Sequence, residues 1–123
     1  MIQERAYPAL DAIHAVLIAA HEATRFLSGP DLSGLVARLR RTAAGAHEAV
    51  LYAARRLDEP AGRDELLRAR ELLVELADDV AVARLQGLDH AAAAELLEYQ
   101  GQASLALAAL EGELRLQTEA CAA

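Results

Sequence analysis

Two groups of residues in this 123-residue chain could do chemistry: its arginines and its histidines. All twelve basic side chains are Arg, and none is Lys. Arg38, Arg40, Arg41, Arg55 and Arg56 fall close together. Arg38 and Arg41 are i,i+3 neighbours on a helix, and Arg41, Arg55 and Arg56 could form a basic stripe. A guanidinium is planar, permanently charged and suited to phosphate. These five are therefore candidate contacts for nucleic acid or an acidic partner. The opposing expectation is that they pair with this chain's own acids, ten of which follow residue 70. The four aromatics, Tyr7, Phe26, Tyr52 and Tyr99, do not form the interleaved series that stacks single-stranded bases.

The histidines suggest metal, but their spacing does not support it. His14 and His21 share a helical face, two turns apart, which is about 10 Å along the axis. Di-iron bundles need a Glu-x-x-His pair on each of two helices. Only Asp11-x-x-His14 comes near that pattern, and it occurs once. No metal and no cofactor are expected. Enzyme signatures are missing too: there is no phosphate loop, no Gly-x-Ser-x-Gly and no dinucleotide fingerprint. Asp78-Asp79 and Asp58-Glu59 read as solvated neighbours. Cys121 sits where a fraying tail is expected, a poor setting for a nucleophile. The chain is expected to have no catalytic role.

Composition sets the elements that must carry these residues. Ala (30) and Leu (22) dominate, and 54% of the residues are hydrophobic. Such a Leu/Ala/Arg/Glu chain favours helix and lacks the β-branched and aromatic runs that strands need. The net charge is −7 and uneven: −1 over 1–30, +2 over 31–70 and −8 over 71–123. An acidic whole repels nucleic acid at long range, so binding would need a local Arg patch. A single Cys cannot form an intrachain disulfide, which suits a reducing compartment. The opening residues show no basic leader before an apolar core, and the Ala12–Ala20 stretch is too short to span a bilayer. The expectation is a cytoplasmic protein with no membrane segment.

Four helix-period segments are predicted, at about 8–27, 32–57, 63–85 and 90–117, in one domain. Pro8 suits a first turn. The inward stripe of the first helix reads Ala6, Leu10, Ile13, Leu17, Ala20, Thr24 and Leu27. The second reads Leu35, Leu39, Thr42, Ala46, Ala49 and Ala53, flanked by Val36, Val50 and Leu57. The third reads Leu66, Ala69, Leu73, Leu76, Val80 and Ala83. The fourth reads Ala93, Leu96, Ala103, Leu107, Leu110 and Leu114. Ser28-Gly29-Pro30-Asp31 and Asp58-Glu59-Pro60-Ala61-Gly62 break the pattern. Asp31 or Ser33 is expected to cap the second helix, and Gly87 followed by Asp89 reads as a stop and a cap. Gly45, Gly101 and Gly112 are expected to mark close helix contacts. Short connections give an all-α, antiparallel up-down-up-down four-helix bundle.

One stripe per helix does not account for all the apolar residues. Val16 and Ile18 lie off the first stripe, Leu67, Leu72 and Val82 off the third, and Leu97 and Leu105 off the fourth. Second stripes need another partner. Ile18, Leu67, Leu72, Val82, Leu97 and Leu105 are therefore candidate contacts between copies of the chain.

Some of these residues also resemble a known family. Thr24-Arg25-Phe26-Leu27 is followed by Gly34-Leu35-Val36-Ala37-Arg38-Leu39-Arg40-Arg41-Thr42-Ala43. Further on come Leu73-Val74-Glu75-Leu76 and Gly87-Leu88. The ordered set is similar to the four-helix-bundle proteins encoded in intervening sequences of bacterial large-subunit ribosomal RNA genes. It spans about Ala6 to Arg115. The chain departs from that family at Arg38, where Gln is usual. It departs again at Ala49-Val50-Leu51-Tyr52-Ala53, where an Asn-Ile-Ala-Glu-Gly run is usual, and at Leu72, where Ser is usual. The resemblance implies a cytosolic, non-enzymatic bundle that assembles as a ring of five. A related branch, the accessory variability protein of diversity-generating retroelements, partners a reverse transcriptase and nucleic acid through a basic surface. The expected function is thus a self-assembling scaffold or adaptor, a homopentamer with itself or another protein as partner. The alternative is a nucleic-acid-binding accessory using the Arg patch.

Overall fold

The computed structural model describes the backbone of residues 2–25 and 30–122, and the side chains of 6–25, 34–117 and 119. Those residues form helices α1 (Ile2–Ala23), α2 (Pro30–Ala54), α3 (Pro60–Leu85) and α4 (His90–Ala122), with no strand among them. Each helix packs on its neighbours in chain order, α4 closes on α1, and no diagonal pair meets among the described residues. This is the expected four-helix bundle. The α2–α3 seam is the most extensive and the α3–α4 seam the least.

The helix boundaries differ from the periodicity where local chemistry intervenes. α1 begins at Ile2, so Pro8 lies inside it rather than at its first turn. Pro8 is exposed, and its missing N–H removes one hydrogen bond close to the helix start. α2 begins at Pro30, in the position where a missing N–H is harmless. It ends at Ala54, which leaves Arg55, Arg56 and Leu57 in the turn. That turn tightens through Arg56 N–H to the Ala53 carbonyl (2.9 Å) and Glu59 N–H to the Arg56 carbonyl (3.0 Å). α3 starts early, with Pro60 in its first turn and Glu59 extended before it. α4 continues to Ala122, so the expected fraying after Gln117 is not found. Leu27, the Ser28-Gly29 turn, the side chains of Asp31 and Ser33, and that of Cys121 lie outside the described residues.

The α3–α4 turn follows its sequence signals. Gly87 takes a φ of 116°, the left-handed value that favours Gly. Leu88 N–H donates to the Ala83 carbonyl (2.9 Å) and Gly87 N–H to the Arg84 carbonyl (3.3 Å). Together these close a Schellman motif, with Leu88 and Ala83 both buried. Asp89 then caps α4 by accepting the Ala92 N–H at 3.2 Å.

All six inward residues expected of α3, and all six expected of α4, are buried. On α2, Leu39, Thr42, Ala46, Ala49, Val50 and Ala53 are buried, as is Leu57 in the turn after it, while Leu35 and Val36 are half-buried. α1 departs most. Ala9 and Val16 are buried, whereas Leu10 and Leu17 are only partly covered. Val16 is thus a core residue rather than surplus. The glycines depart as well. A methyl group at Gly101 or Gly112 would meet nothing within 4 Å, so neither marks a close helix contact inside the chain. At Gly45 it would touch Leu72 at an ordinary 3.5 Å. Only Gly62 is sterically obligatory among these, because a methyl group there would overlap the Arg56 carbonyl of the preceding turn.

Candidate functional site

The five candidate arginines do not converge. Arg38 points to α3, with its Nη2 3.4 Å from Glu75 Oε1 and its Nε 3.2 Å from Asp79 Oδ2. Asp79 is 5% exposed, and its Oδ2 has this charged neighbour without a well-aligned hydrogen bond. Burial raises the Asp79 pKa; Arg38 opposes the shift, and Glu75 and Asp78 add to it. Arg40 points the other way, to α1. Its Nε donates to Thr24 Oγ1 (2.8 Å) and its Nη2 to the Thr24 carbonyl (3.2 Å), while Thr24 Oγ1 donates to the Ala20 carbonyl (2.7 Å). A cation placed there satisfies the carbonyl end of α1 and complements its dipole. Arg56 lies over the Tyr52 ring, 4.0 Å from its centroid, and donates to the Tyr52 carbonyl. Arg41 and Arg55 are exposed, but Arg55 stands in the turn after α2. Of the stripe residues, Arg41 and Arg55 thus stand exposed and Arg56 lies on Tyr52, while Arg38 and Arg40 turn to two different neighbouring helices. A further cross-helix pair, Arg70 to Glu111 at 2.8 Å, joins α3 to α4.

The histidines form a contact that their spacing within one helix does not reveal. His14 on α1 and His47 on α2 bring their ring centroids to 5.3 Å. Burial, followed by the nearby His14, lowers the His47 pKa, while Glu48 works the other way. Among the described residues no three His, Cys, Asp or Glu side chains gather as a metal site. No helix of the described residues is long and apolar enough to cross a membrane.

The apolar candidates divide. Leu72 packs toward Gly45 of α2 and Leu97 against the core, so both are half-buried within the chain. Ile18 lines a groove of about 350 Å³ between α1 and α4, with Glu22, Glu95 and Tyr99. Val82 is exposed on α3, some 60° around the helix from Leu67 at about 100° per residue. Leu67 and Leu105 are exposed and have company that the sequence reading missed: Val74, Leu85 and Leu116. Leu67, Val74, Ala81 and Leu85 stand at helical spacings of seven, seven and four, and all four are exposed. On α4, Ala94, Leu97, Gly101, Leu105, Ala108, Gly112 and Leu116 recur every three or four residues. The two stripes share a face, because Leu67, Ala108 and Gly112 line one groove of about 530 Å³, rimmed by Arg63, Arg70 and Arg115. Leu85 is 89% exposed, Leu105 74% and Val74 58%. The heptad spacing from Leu67 through Val74 to Ala81 was the sequence signal that would have found this face.

Among the described residues the geometry defines a four-helix bundle with an apolar outer face. No family model matches the chain, and no curated protein or solved structure matches it.

Proposed function

We propose that this chain is a non-enzymatic cytoplasmic scaffold or adaptor that self-associates through its outer apolar surface. One observation carries the reading: the continuous stripe along α3 and α4, with Leu67, Val74, Leu85, Leu105 and Leu116 in solvent. Scattered surface leucines are ordinary, whereas an aligned row on adjacent helices exposes a contiguous apolar face of the kind that marks an interface. The arginines do not favour a phosphate-binding reading, since Arg38, Arg40 and Arg56 are already engaged within the chain.

Sedimentation velocity at micromolar concentration tests the proposal. The expected result is a species heavier than the 13.1 kDa chain. Five copies in a ring is the number that the family resemblance implies, and the sedimenting mass counts them. A clean single-chain species rejects self-association.

A further inference from the structure

We infer that the α3–α4 face is self-complementary, and that it takes the same face of a second copy about a two-fold axis. The inference rests on the self-association reading and adds to it the occupant and the register.

The hairpin sets which levels of α3 and α4 correspond, and the inferred axis crosses both at one such level. Leu85 closes α3 and His90 opens α4 across a short turn. Counting the same distance back from Leu85 and forward from His90 puts Arg70-Glu71 level with Ser104-Leu105. The Gln100 side chain, donating to the Leu73 carbonyl at 3.0 Å, keeps the helices near that alignment. A two-fold axis through this level, lying in the interface and perpendicular to the helices, sets α3 antiparallel to the partner copy's α3. It sets α4 against α4 in the same way, so that each residue faces the one equally far beyond the axis.

In that register apolar residues meet apolar ones, and one large side chain, Leu97, meets a glycine. On α3, Leu67 faces Val74 of the second copy, and Ala81 faces Pro60. On α4 the axis falls between Ser104 and Leu105, so Leu97 faces Gly112, Gly101 faces Ala108, and the two copies of Leu105 stand about 1.5 Å apart along the helix direction. The glycines with open space beside them in the single chain thus become the sockets for the neighbour's side chains. Charge agrees: Arg63 comes opposite Asp78, so the basic start of the α3 face meets the acidic end of the partner's. Both are exposed. An unrelated partner has no reason to repeat this spacing of large, small, positive and negative groups. A second copy repeats it by symmetry.

Disulfide trapping tests the register, with Cys121→Ser removing the native thiol. In the two-fold pair the Leu67 and Val74 positions meet, whereas two Leu67 positions lie about 10 Å apart along the axis, beyond the roughly 4.4–6.8 Å Cα separation of a disulfide. A mixture of Leu67→Cys and Val74→Cys chains is expected to give a linked dimer under oxidation, at least about fivefold above either chain alone. In parallel, Gly101→Gln fills a socket at a position whose Cβ has open space within the subunit. It is expected to weaken association about tenfold while thermal unfolding does not fall. A heavy species with no Leu67–Val74 link, a five-copy ring among them, overturns the two-fold register and leaves self-association standing. Association unchanged by Gly101→Gln overturns it too. A wild-type chain that sediments alone removes both readings.

Discussion

Two sides of α3 behave in opposite ways, and their glycines show it most clearly. Toward α2 the chain is closed: Gly62 is pressed on the Arg56 carbonyl, Leu72 reaches Gly45, and Arg38 bridges to Glu75 and Asp79. On the outer α3–α4 face it is open: Gly101 and Gly112 have nothing beside them, and leucines stand in solvent. The same residue type therefore records close packing on one side and vacancy on the other. Glycine in a helix costs about 1 kcal/mol relative to Ala. No neighbour inside the subunit requires Gly at those two positions, and the inferred two-fold pair gives them a use.

The contrast can be attacked by substitution. The largest effect is expected at the closed side. Gly62→Ala must displace backbone rather than a flexible side-chain end, so a loss of about 2 kcal/mol or more is expected in urea unfolding. An unchanged midpoint would remove the steric account of that turn. The open side should answer with the opposite sign. Gly112→Ala is expected to stabilise the isolated subunit by up to about 1 kcal/mol, measured at concentrations low enough to keep chains apart. A loss there would mean the site is not open.

A smaller effect is expected at Asp79. Its folded pKa lies above its unfolded value because burial disfavours the carboxylate. Its contribution is thus most favourable below the unfolded pKa and is lost as pH rises through the folded one. Asp79→Asn removes that loss, and Arg38, half-exposed, keeps Glu75. Unfolding at pH 7 is expected to change by no more than about 1 kcal/mol toward greater stability, with less dependence on pH across the acidic range. A large destabilisation at pH 7 would show that the ion pair outweighs the burial of its charge.

The sequence made α3 and α4 legible because leucines mark their inner lines while charged residues mark much of the rest. α1 was harder for a physical reason. Outside its polar side of Asp11, His14, His21 and Glu22 it is apolar, and Ala fits inside and outside alike, so Leu10 and Leu17 drew the inward line one residue away from Ala9 and Val16. The candidate surface was half visible: Leu67 and Leu105 stood out and Val74 lay at heptad spacing from Leu67, whereas the groove lined by Leu67, Ala108 and Gly112 was needed to show that the two stripes share a face. The bonds from Arg40 to Thr24 and the approach of His14 to His47 join different helices, and spacing along one helix carries no record of them.

The turn at Gly87 acts as a gauge block. With Gly87 in its left-handed pose, Leu88 buried and Asp89 holding the first amides of α4, four residues fix both the height at which α4 starts and its rotational phase. A single inserted residue there could leave every helix intact and still rotate one oily stripe out of step with the other, so the shortest segment of the chain governs whether its broadest surface can mate.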